Sequence, residues 1–316
     1  MHILVAGGAG FIGAALSKKL LELGHTVLCV DSLQTGSAQA VDRLCKFKGF
    51  TFLQQDIAQP MNTSQVGSVE QIYNLACPAS PRKYQQDPVK TIETNVIGTR
   101  NLLELARLTC SRFLLASTSE VYGSPQQKPQ REDYWGNVNT IGPRSCYDEG
   151  KRCAEALTHA YQTQHQVETR IARIFNTYGP GMQRDDGRVV SNFITRIQDG
   201  IPIEIYGDGL QTRCFCFVDD MVEALITLMA SNCSTPVNLG DNHEISVAEL
   251  AHLISRILGK PLSLSRAPAL VDDPQERKPD LEKSYRMLGW KASTPLEEGL
   301  LKTAASFLQT QERSYA

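Results

Sequence analysis

Long apolar runs, an excess of charge of one sign and metal-ligand spacings are all missing from this 316-residue sequence. The 32 basic and 34 acidic residues leave a net charge of -2, so no overall field attracts nucleic acid or an anionic membrane. An anionic ligand must therefore be held by local arginines and backbone N–H groups. Residues 1–5 already have the pattern of a buried strand, so we expect no signal peptide and no membrane span.

Cysteine pairs of the C-x-x-C type are also missing. The nine cysteines are odd in number and most lie in apolar runs, which is typical of free thiols in a reducing compartment. The six histidines are scattered and match no ligand pattern. Cys214 and Cys216 are expected to be packed thiols. We therefore expect a cytoplasmic protein without a metal.

What the sequence does have is an alternation of short apolar runs with helical patterns. Such runs suit a parallel sheet that is covered on both faces. Amphipathic stretches cover 10–23, 90–109 and 147–164. This alternation predicts an α/β fold, namely a Rossmann-type doubly wound parallel sheet with a smaller mixed substrate-binding lobe. The predicted strands are Ile3–Val5, Val27–Val30, Phe52–Leu53, Ile72–Ala76, Phe113–Ala116 and Ile171–Ile174.

The residue pattern changes after Asn176, where glycine-rich loops become frequent. We predict a Rossmann-type domain over 1–178, with a returning segment near 214–240, and a smaller mixed lobe that is mainly 179–316. Two helix starts are clear in this second part. Ser246–Glu249 has a capping-box pattern, and Thr294-Pro295 places proline at a first helical position.

The first strand is followed directly by a glycine pattern. Gly7, Gly10 and Gly13 have the spacing G-x-x-G-x-x-G and open the first helix. A turn without Cβ atoms lets a pyrophosphate approach the backbone, and the helix N-terminus offers free N–H groups to it. Glycine-rich turns are common in α/β proteins, so this pattern needs support from other residues.

Asp31 gives such support, because it ends the second predicted strand 21 residues after Gly10. A carboxylate there accepts the ribose hydroxyls of NAD and repels the 2′-phosphate of NADP. The alternative is a solvated acid at a strand end. The loop that follows, Ser32–Gly36, has no arginine for a phosphate, so NAD is favoured. Asp56 and Ile57, after the third strand, are candidate adenine contacts.

Tyr147 and Lys151 lie four residues apart, one turn along the same helical face. A lysine ammonium beside a phenol is expected to lower the pKa of the phenol, and a positively charged nicotinamide would lower it further. The phenolate can then remove a proton from a sugar hydroxyl while hydride leaves for NAD. Helices offer many such pairs by chance, so the argument depends on the glycine pattern in the same chain.

Thr118, Ser119 and Glu120 follow the fifth predicted strand, at the edge of the sheet where α/β proteins bind ligands. One interpretation is a polar transition from strand to loop. The other gives Thr118 a hydrogen bond to the reacting hydroxyl and makes Glu120 a proton handler or water organiser. The neighbouring tyrosine and lysine favour the second.

These residues belong to longer motifs that resemble the extended short-chain dehydrogenases/reductases and, within them, the UDP-glucuronic acid decarboxylases (UDP-xylose synthases). The likeness covers almost the whole chain, and it implies that 1–178 is an NAD-binding domain and that 179–316 is mainly a nucleotide-sugar-binding lobe. The glycine and tyrosine–lysine motifs are general to the superfamily, whereas the proline-rich, tryptophan and Arg277 segments are far more specific to the decarboxylases. The segments that carry it are Gly7–Gly13, Leu75–Pro81, Leu115–Gly123, Tyr134–Asn139, Ile141–Arg152, Ala172–Pro180, Asp186–Phe193, Tyr206–Arg213 and Asp272–Asp280.

The resemblance implies oxidation of UDP-glucuronate at C4, loss of carbon dioxide from the β-keto acid, and return of the hydride to give UDP-xylose. It assigns Ser119, Glu120 and Arg277 to the decarboxylation and makes Asn176, Arg188 and Arg213 anchors for the nucleotide sugar. Arg277 could instead form a surface ion pair, and Arg213 could be structural. The family also suggests a homodimer built from the helices at 90–109 and 147–164.

The predicted site is larger than its catalytic residues. The predicted cofactor contacts are Gly7, Gly10, Phe11, Ile12, Asp31, Ser32, Thr35, Gly36, Asp56, Ile57, Leu75, Ala76, Cys77, Thr94, Ala116, Tyr147 and Lys151. The predicted substrate contacts are Pro78, Tyr84, Asn176, Arg188, Val190, Tyr206, Gln211, Arg213 and Arg277.

Three places depart from the decarboxylase pattern. Glu93 stands where lysine is usual, Gly181 replaces an arginine, and the loop after Asp31 lacks basic residues. Two rival enzymes share most of the motifs: a nucleotide-sugar 4,6-dehydratase, in some of which an aspartate replaces Ser119, and a 4-epimerase, which seldom carries Glu120. A non-catalytic NAD-binding protein would be expected to lose Tyr147, Lys151 or Glu120.

Overall fold

A parallel sheet of seven strands organises the computed structural model, which describes residues 1–268 and 276–314. The strands are β1 (His2–Ala6), β2 (Thr26–Asp31), β3 (Phe50–Gln54), β4 (Gln71–Asn74), β5 (Arg112–Thr118), β6 (Thr169–Ile174), β7 (Thr177–Tyr178), β8 (Ile203–Tyr206), β9 (Thr212–Cys214), β10 (Cys216–Phe217), β11 (Val237–Leu239), β12 (Glu244–Ser246), β13 (Leu264–Ala267) and β14 (Glu276–Arg277). The large sheet has the order β11-β6-β5-β4-β1-β2-β3, and every neighbouring pair in it is parallel. The predicted α/β fold class is confirmed.

The helices are α1 (Phe11–Glu22), α2 (Ala38–Leu44), α3 (Thr63–Val66), α4 (Pro81–Tyr84), α5 (Pro88–Glu93), α6 (Thr99–Thr109), α7 (Ser145–His165), α8 (Val189–Gln198), α9 (Val218–Ala230), α10 (Val247–Leu258), α11 (Glu282–Leu288) and α12 (Leu296–Ser314). A π-helical turn at Thr94–Gly98 joins α5 to α6, and a 3₁₀ turn at Ser119–Tyr122 follows β5. No helix within the described ranges is long and apolar enough to cross a membrane.

Both faces of the large sheet are covered, which explains why its strands are apolar throughout. Ile3 and Val5 of β1 face the larger hydrophobic cluster, together with residues of α1 and α9. Leu4 and Ala6 alternate to the opposite face and pack with residues of α6 and α7. A strand that is buried on both sides needs apolar residues at every position, as in a doubly wound fold.

One predicted helix differs from the structure. The stretch 90–109 was expected to be one helix, but it is divided by the π turn between α5 and α6. Two contacts accompany this turn. The Asn95 amide donates to the carbonyl of Thr91 at 3.0 Å. A Cβ on Gly98 would lie 2.5 Å from the side chain of Ile57, so the turn packs tightly against the segment after β3.

The second part of the chain forms small sheets near the carboxyl edge of the large one. β9 lies between β12 and β14, β7 pairs with β10, and β8 pairs with β13. β11 returns to the large sheet beside β6. The capping box of Ser246 and Glu249 is confirmed, and α12 begins one residue after Pro295. The predicted division at residue 178 stays a prediction.

Candidate active site

The loop between β1 and α1 forms the floor of a groove. Gly7 has φ +76°, and a Cβ there would lie 2.7 Å from the backbone nitrogen of Ala76. A Cβ on Gly13 would lie 2.1 Å from the carbonyl oxygen of Gly7, so the helix packs against the loop only with glycine. Side chains at these positions would clash with the backbone of the loop itself and of the segment after β4. The loop thus fits a pyrophosphate that approaches the backbone.

Asp31 lies at the rim of this groove and is 8% exposed. Its carboxylate accepts N–H groups from Ala9 at 3.0 Å and Leu33 at 2.9 Å. Burial raises the pKa of Asp31, while these two hydrogen bonds act in the opposite direction. A Cβ on Gly36 would lie 2.7 Å from Oδ1, so glycine keeps the space beside the carboxylate open.

Twelve of the predicted cofactor contacts line this groove together. They are Gly7, Gly10, Asp31, Ser32, Thr35, Gly36, Asp56, Ile57, Leu75, Ala76, Cys77 and Thr94, and the predicted substrate contact Pro78 joins them. Val30, Gln34 and Gln55 line it as well and were not predicted. The groove runs along the carboxyl ends of β1, β2 and β4, which is where an extended dinucleotide lies in a Rossmann-type sheet.

Asp56, a predicted adenine contact, is engaged by a protein partner. Its Oδ2 lies 2.5 Å from the Lys90 ammonium, and its Oδ1 accepts the N–H of Ala58 at 2.9 Å. Glu93, one of the departures from the decarboxylase pattern, lies 3.6 Å from the same lysine and is partly exposed. The lysine therefore joins the two acids, one of which, Asp56, lines the groove.

The carboxyl end of β5 brings the predicted proton-transfer residues together. Tyr147 and Lys151 are buried on the first turns of α7, and Lys151 donates to the Ala116 carbonyl at 2.8 Å. The Thr118 side chain lies beside the Tyr147 phenol and acts to lower its pKa. The ring of Tyr84 stacks on that of Tyr147, with the centroids 5.0 Å apart and the planes 6° from parallel.

The charge environment of Tyr147 differs from the sequence-based expectation. Burial is the largest influence and raises the pKa of Tyr147 well above its ordinary value, while the Thr118 side chain opposes this. The Lys151 nitrogen lies 5.9 Å from the centre of the Tyr147 ring, and burial lowers the pKa of the lysine. The protein groups alone therefore do not activate the phenol, and a cationic ring bound beside it would favour the phenolate.

Glu120 is the centre of a buried charged cluster. Arg144 donates through Nη2 to both carboxylate oxygens, at 2.8 and 2.7 Å, and Arg277 donates through Nη1 to Oε1 at 2.7 Å. Burial alone would raise the pKa of Glu120, but the two guanidinium groups outweigh it and hold the pKa below its ordinary value. Glu120 is therefore a carboxylate in the protein.

Arg277 reaches this cluster from β14, in the second part of the chain. Its side chain is only 7% exposed and pairs with Glu120. This ion pair is therefore buried, unlike the surface ion pair considered as the alternative role of Arg277. Its Nε and Nη2 groups have no hydrogen-bond partner among the described residues. Asp272, Asp273, Pro274 and Gln275, which belong to the same motif, lie outside the described residues.

Two residues of the cluster were missed by sequence reasoning. Arg144 and Asp148 flank Tyr147 and line a pocket together with Glu120. Both stand in the motif Ile141–Arg152 that carried the family resemblance. Only the spacing of Tyr147 and Lys151 was interpreted there, since the turn that aims Arg144 at Glu120 is a tertiary feature.

The remaining predicted residues lie around this centre at different depths. Ser119 is buried beside Glu120, and Ile12 packs in the larger core. The Arg188 guanidinium lies over the Phe11 ring, 5.6 Å from its centre, and pairs with Asp186 at 2.9 Å. Arg188, at the start of α8, thus contacts the end of the dinucleotide loop and links the two parts of the chain.

The predicted sugar and uridine contacts of the second lobe are less uniform. Asn176 donates to the Cys214 carbonyl at 3.3 Å, and Arg213 is buried on β9 beside Arg277 of β14. The Gln211 amide donates to the carbonyl of Tyr206 at 3.0 Å. The Val190 side chain is buried in the core, which leaves only its backbone for a ligand. Gly181, where the family usually has arginine, has φ +95°, a conformation that favours glycine.

Cys214 and Cys216 are buried, and Cys29, Cys146 and Cys233 are buried as well. Within residues 1–268 and 276–314, no group of three or more histidine, cysteine or acidic side chains is arranged to hold a metal ion.

A family model described as the NAD dependent epimerase/dehydratase family matches residues 3–240. UDP-glucuronic acid decarboxylase 1 of Xenopus tropicalis is 49% identical over 311 residues, which are 98% of this chain and 73% of that protein. UDP-glucuronic acid decarboxylase 3 of Arabidopsis thaliana is 48% identical over 301 residues, which are 95% of this chain and 87% of that protein.

Among solved structures, a mutant UDP-glucuronic acid 4-epimerase of Bacillus cereus has a TM-score of 0.90 and 25% identity. The match covers 98% of this chain and 100% of that one, and that epimerase was solved with UDP-4-deoxy-4-fluoro-glucuronic acid and NAD.

Proposed function

The chain belongs to the NAD dependent epimerase/dehydratase family, and from that premise we propose that it converts UDP-glucuronate to UDP-xylose and carbon dioxide with NAD as a cofactor that is regenerated in each cycle. The observation that carries the proposal is the pairing of Arg277 with Glu120 at 2.7 Å beside Tyr147. A simple oxidation at C4 needs a tyrosine and a lysine, whereas a reaction at a sugar carboxylate also needs a cation.

Tyr147 is the base for the 4-hydroxyl in this proposal. The phenol lies beside Thr118, and Lys151 is fixed by the Ala116 carbonyl one turn along the helix. The groove lined by Gly7 and Asp31 would hold NAD, which would accept a hydride from C4 and return it there. Tyr147 holds the hydroxyl proton during the ketone stage and gives it back, so no proton is consumed at this residue.

Arg277 and Glu120 act on the other end of the sugar. The ketone at C4 makes the C6 carboxylate a β-keto acid, whose C5–C6 bond breaks with its electron pair delocalised into an enolate. The Nε and Nη2 groups of Arg277, which have no partner among the described residues, suit a carboxylate and then the enolate, because a guanidinium in a buried site stabilises such charge strongly. Glu120 keeps the guanidinium in place.

The nucleotide end is assigned to Arg188, Arg213 and Asn176, with Asp31 selecting NAD over NADP. Arg188 contributes a cation on the side of the groove where the dinucleotide loop ends. The named relatives act on a UDP-sugar, and the fixed donors of these three residues suit a diphosphate and hydroxyls.

The related 4-epimerases are the main alternative, since they share the fold and oxidise the same position of the sugar. An epimerase must keep the C6 carboxylate, whereas the cluster of Glu120, Arg144 and Arg277 presents two cations at the edge of β5. This cluster favours decarboxylation over epimerisation.

The proposal is tested by incubating the purified protein with a panel of nucleotide uronates and measuring the masses of the products by mass spectrometry. UDP-glucuronate should lose the mass of carbon dioxide and give UDP-xylose without added reductant. Tyr147→Phe should lower turnover by about 10²- to 10⁴-fold, because it removes the proton acceptor, and should still bind NAD. A product of unchanged mass from every uronate would rule the proposal out.

A further inference from the structure

Decarboxylation consumes one proton from solvent in each turnover, and this inference rests on the proposed function. The carboxylate leaves as neutral carbon dioxide, and a new C5–H bond forms with a proton that the substrate does not carry. Tyr147 cannot supply it, since its proton is returned to the 4-hydroxyl. A buried site with this chemistry therefore needs a route for protons that is separate from the tyrosine.

A polar pocket meets the charged cluster on the side of the 3₁₀ turn after β5. Its exposed rim is formed by the polar side chains Ser124, Asn137 and Asn139. Its inner wall has the carboxylates of Glu120 and Asp148. The pocket thus joins exposed polar groups to two carboxyl groups beside Tyr147, and none of its lining residues belongs to the dinucleotide groove.

The two carboxyl groups of the pocket have opposite proton affinities. Glu120 is kept ionised by Arg277 and Arg144, so it is a poor proton store. Asp148 is 6% exposed, and its Oδ1 has no hydrogen-bond partner among the described residues. Burial, followed by the charge of Glu120, raises the pKa of Asp148 to about 7.

We propose that this pocket is the route by which the consumed proton enters, with Asp148 as the residue that holds it. Asp148 releases its proton through the pocket to the site at Glu120, the proton forms the C5–H bond, and solvent at the rim reprotonates Asp148. The electron pair of the C5–H bond is the one left by the broken C5–C6 bond. Asp148 acts through Glu120 and is a positioning and proton-holding residue.

Charged and titratable groups from four other elements face Asp148. Glu120 and Tyr84 lie on the 3₁₀ turn and on α4, Arg277 lies on β14, and Arg144 precedes α7. Glu149 is the neighbour on α7 and raises the pKa of Asp148 only as the last of the named influences. The two arginines lower the pKa of Asp148. Burial and the charge of Glu120 raise it and outweigh the two arginines.

The test measures kcat against pH with UDP-glucuronate for the wild type, Asp148→Asn and Glu149→Gln. A donor must be protonated, so wild-type kcat should fall as pH rises through the region of the Asp148 pKa. The amide of Asp148→Asn has no acidic proton to donate. We therefore expect this variant to lose the alkaline limb and about 10²-fold in kcat. Glu149→Gln removes a neighbouring carboxylate that does not line the pocket. It should keep the wild-type kcat and move the alkaline limb only slightly to lower pH, because Glu149 is the last of the named influences that raise the pKa of Asp148.

A second measurement needs no variant. In a single turnover of the wild type, reduced nicotinamide should accumulate above neutral pH and not below it, because protonation at C5 precedes hydride return. An unchanged alkaline limb in Asp148→Asn, an equal effect of Glu149→Gln, or absence of that accumulation would overturn the proton route. Absence of wild-type turnover would instead overturn the proposed function.

Discussion

Glu120 shows how one carboxylate can be shared between two cations at the edge of a sheet. Arg144 grips both of its oxygens from the loop before α7, while Arg277 reaches one oxygen from β14. Both guanidinium groups are nearly buried, so their charges are poorly screened. Glu120 therefore fixes the position of Arg277 and remains ionised itself.

Removal of Arg144 should change the protonation of Glu120 in a predictable direction. The arginines lower the pKa of Glu120, so Arg144→Gln lets it rise. If the carboxylate is the active form, the acidic limb of kcat/KM against pH should move to higher pH. Arg107→Gln, which removes an exposed arginine on α6, is the control. An acidic limb that stays in place in Arg144→Gln would contradict this.

Replacing Arg277 by lysine tests the shape of the cation rather than its charge. Lysine keeps one positive charge but lacks the planar fork that can hold Glu120 and a second carboxylate together. We expect Arg277→Lys to lose about 10²-fold or more in kcat, in the range of one lost stabilising donor, with NAD binding unchanged. Turnover close to wild type would show that the fork is not needed.

At the scale of residues, sequence motifs identified most of the site residues but not the contacts between them. The spacing of Tyr147 and Lys151 and the glycines at 7, 10 and 13 identified groups whose relation is local, within one helix or turn. Arg144 and Asp148 were missed because their roles depend on Glu120, which lies more than twenty residues away along the chain.

At the scale of elements, a buried network holds the end of β5 in place. Arg173 of β6 donates to both oxygens of Glu155 on α7, and Glu155 also accepts from Ser117 of β5 at 2.6 Å. Arg173 further donates to the Tyr122 hydroxyl at 3.0 Å, which in turn donates to Asn238 of β11 at 2.7 Å. The network ties three strands, a helix and the 3₁₀ turn that carries Glu120.

Glu155→Gln should therefore be strongly destabilising. It leaves Arg173, whose side chain is only 12% exposed, without its counter-charge. The loss of one partner from such a nearly buried pair typically costs about 3–5 kcal/mol in the free energy of unfolding. Glu104→Gln, which breaks an exposed pair with Arg107 on one helix, should cost less than about 0.5 kcal/mol. Urea denaturation of both variants measures the difference. Equal costs would mean that the buried network does not stabilise the fold.

The strands and helices were predictable where one hydrophobic pattern dominated a stretch of the sequence. Strands β1 to β6 have short apolar runs, and all six were anticipated. The π turn at Thr94–Gly98 was not, since the apolar pattern continues through it and only tertiary contacts, such as that of Gly98 with Ile57, reveal the change of register.

At the scale of the whole molecule, the second part of the chain completes a site that the first part begins. Gln183 donates to the Thr35 carbonyl at 3.2 Å, Arg188 covers Phe11, and Arg277 reaches Glu120. A site of this kind is divided between distant parts of the sequence. The resemblance to a family identified Arg277, whereas local patterns alone would have left it in a charged loop.

The homodimer that the family suggests is likewise a proposal about the whole molecule. Val89, Ile92, Ile97 and Leu108, on α5, the π turn and α6, are exposed apolar residues. We propose that a second copy of the chain covers them. Sedimentation should give a dimer for the wild type and a monomer for Ile97→Glu, because a charge would be buried at the interface. A monomeric wild type would contradict this.

The central claim is that this chain removes the C6 carboxylate of UDP-glucuronate. The most direct measurement supplies UDP-glucuronate labelled with ¹³C at C6 and follows the label without added reductant. The account predicts labelled carbon dioxide and unlabelled UDP-xylose in equal amounts. Label that remains in the nucleotide sugar, as a ketone or an epimer, would contradict it.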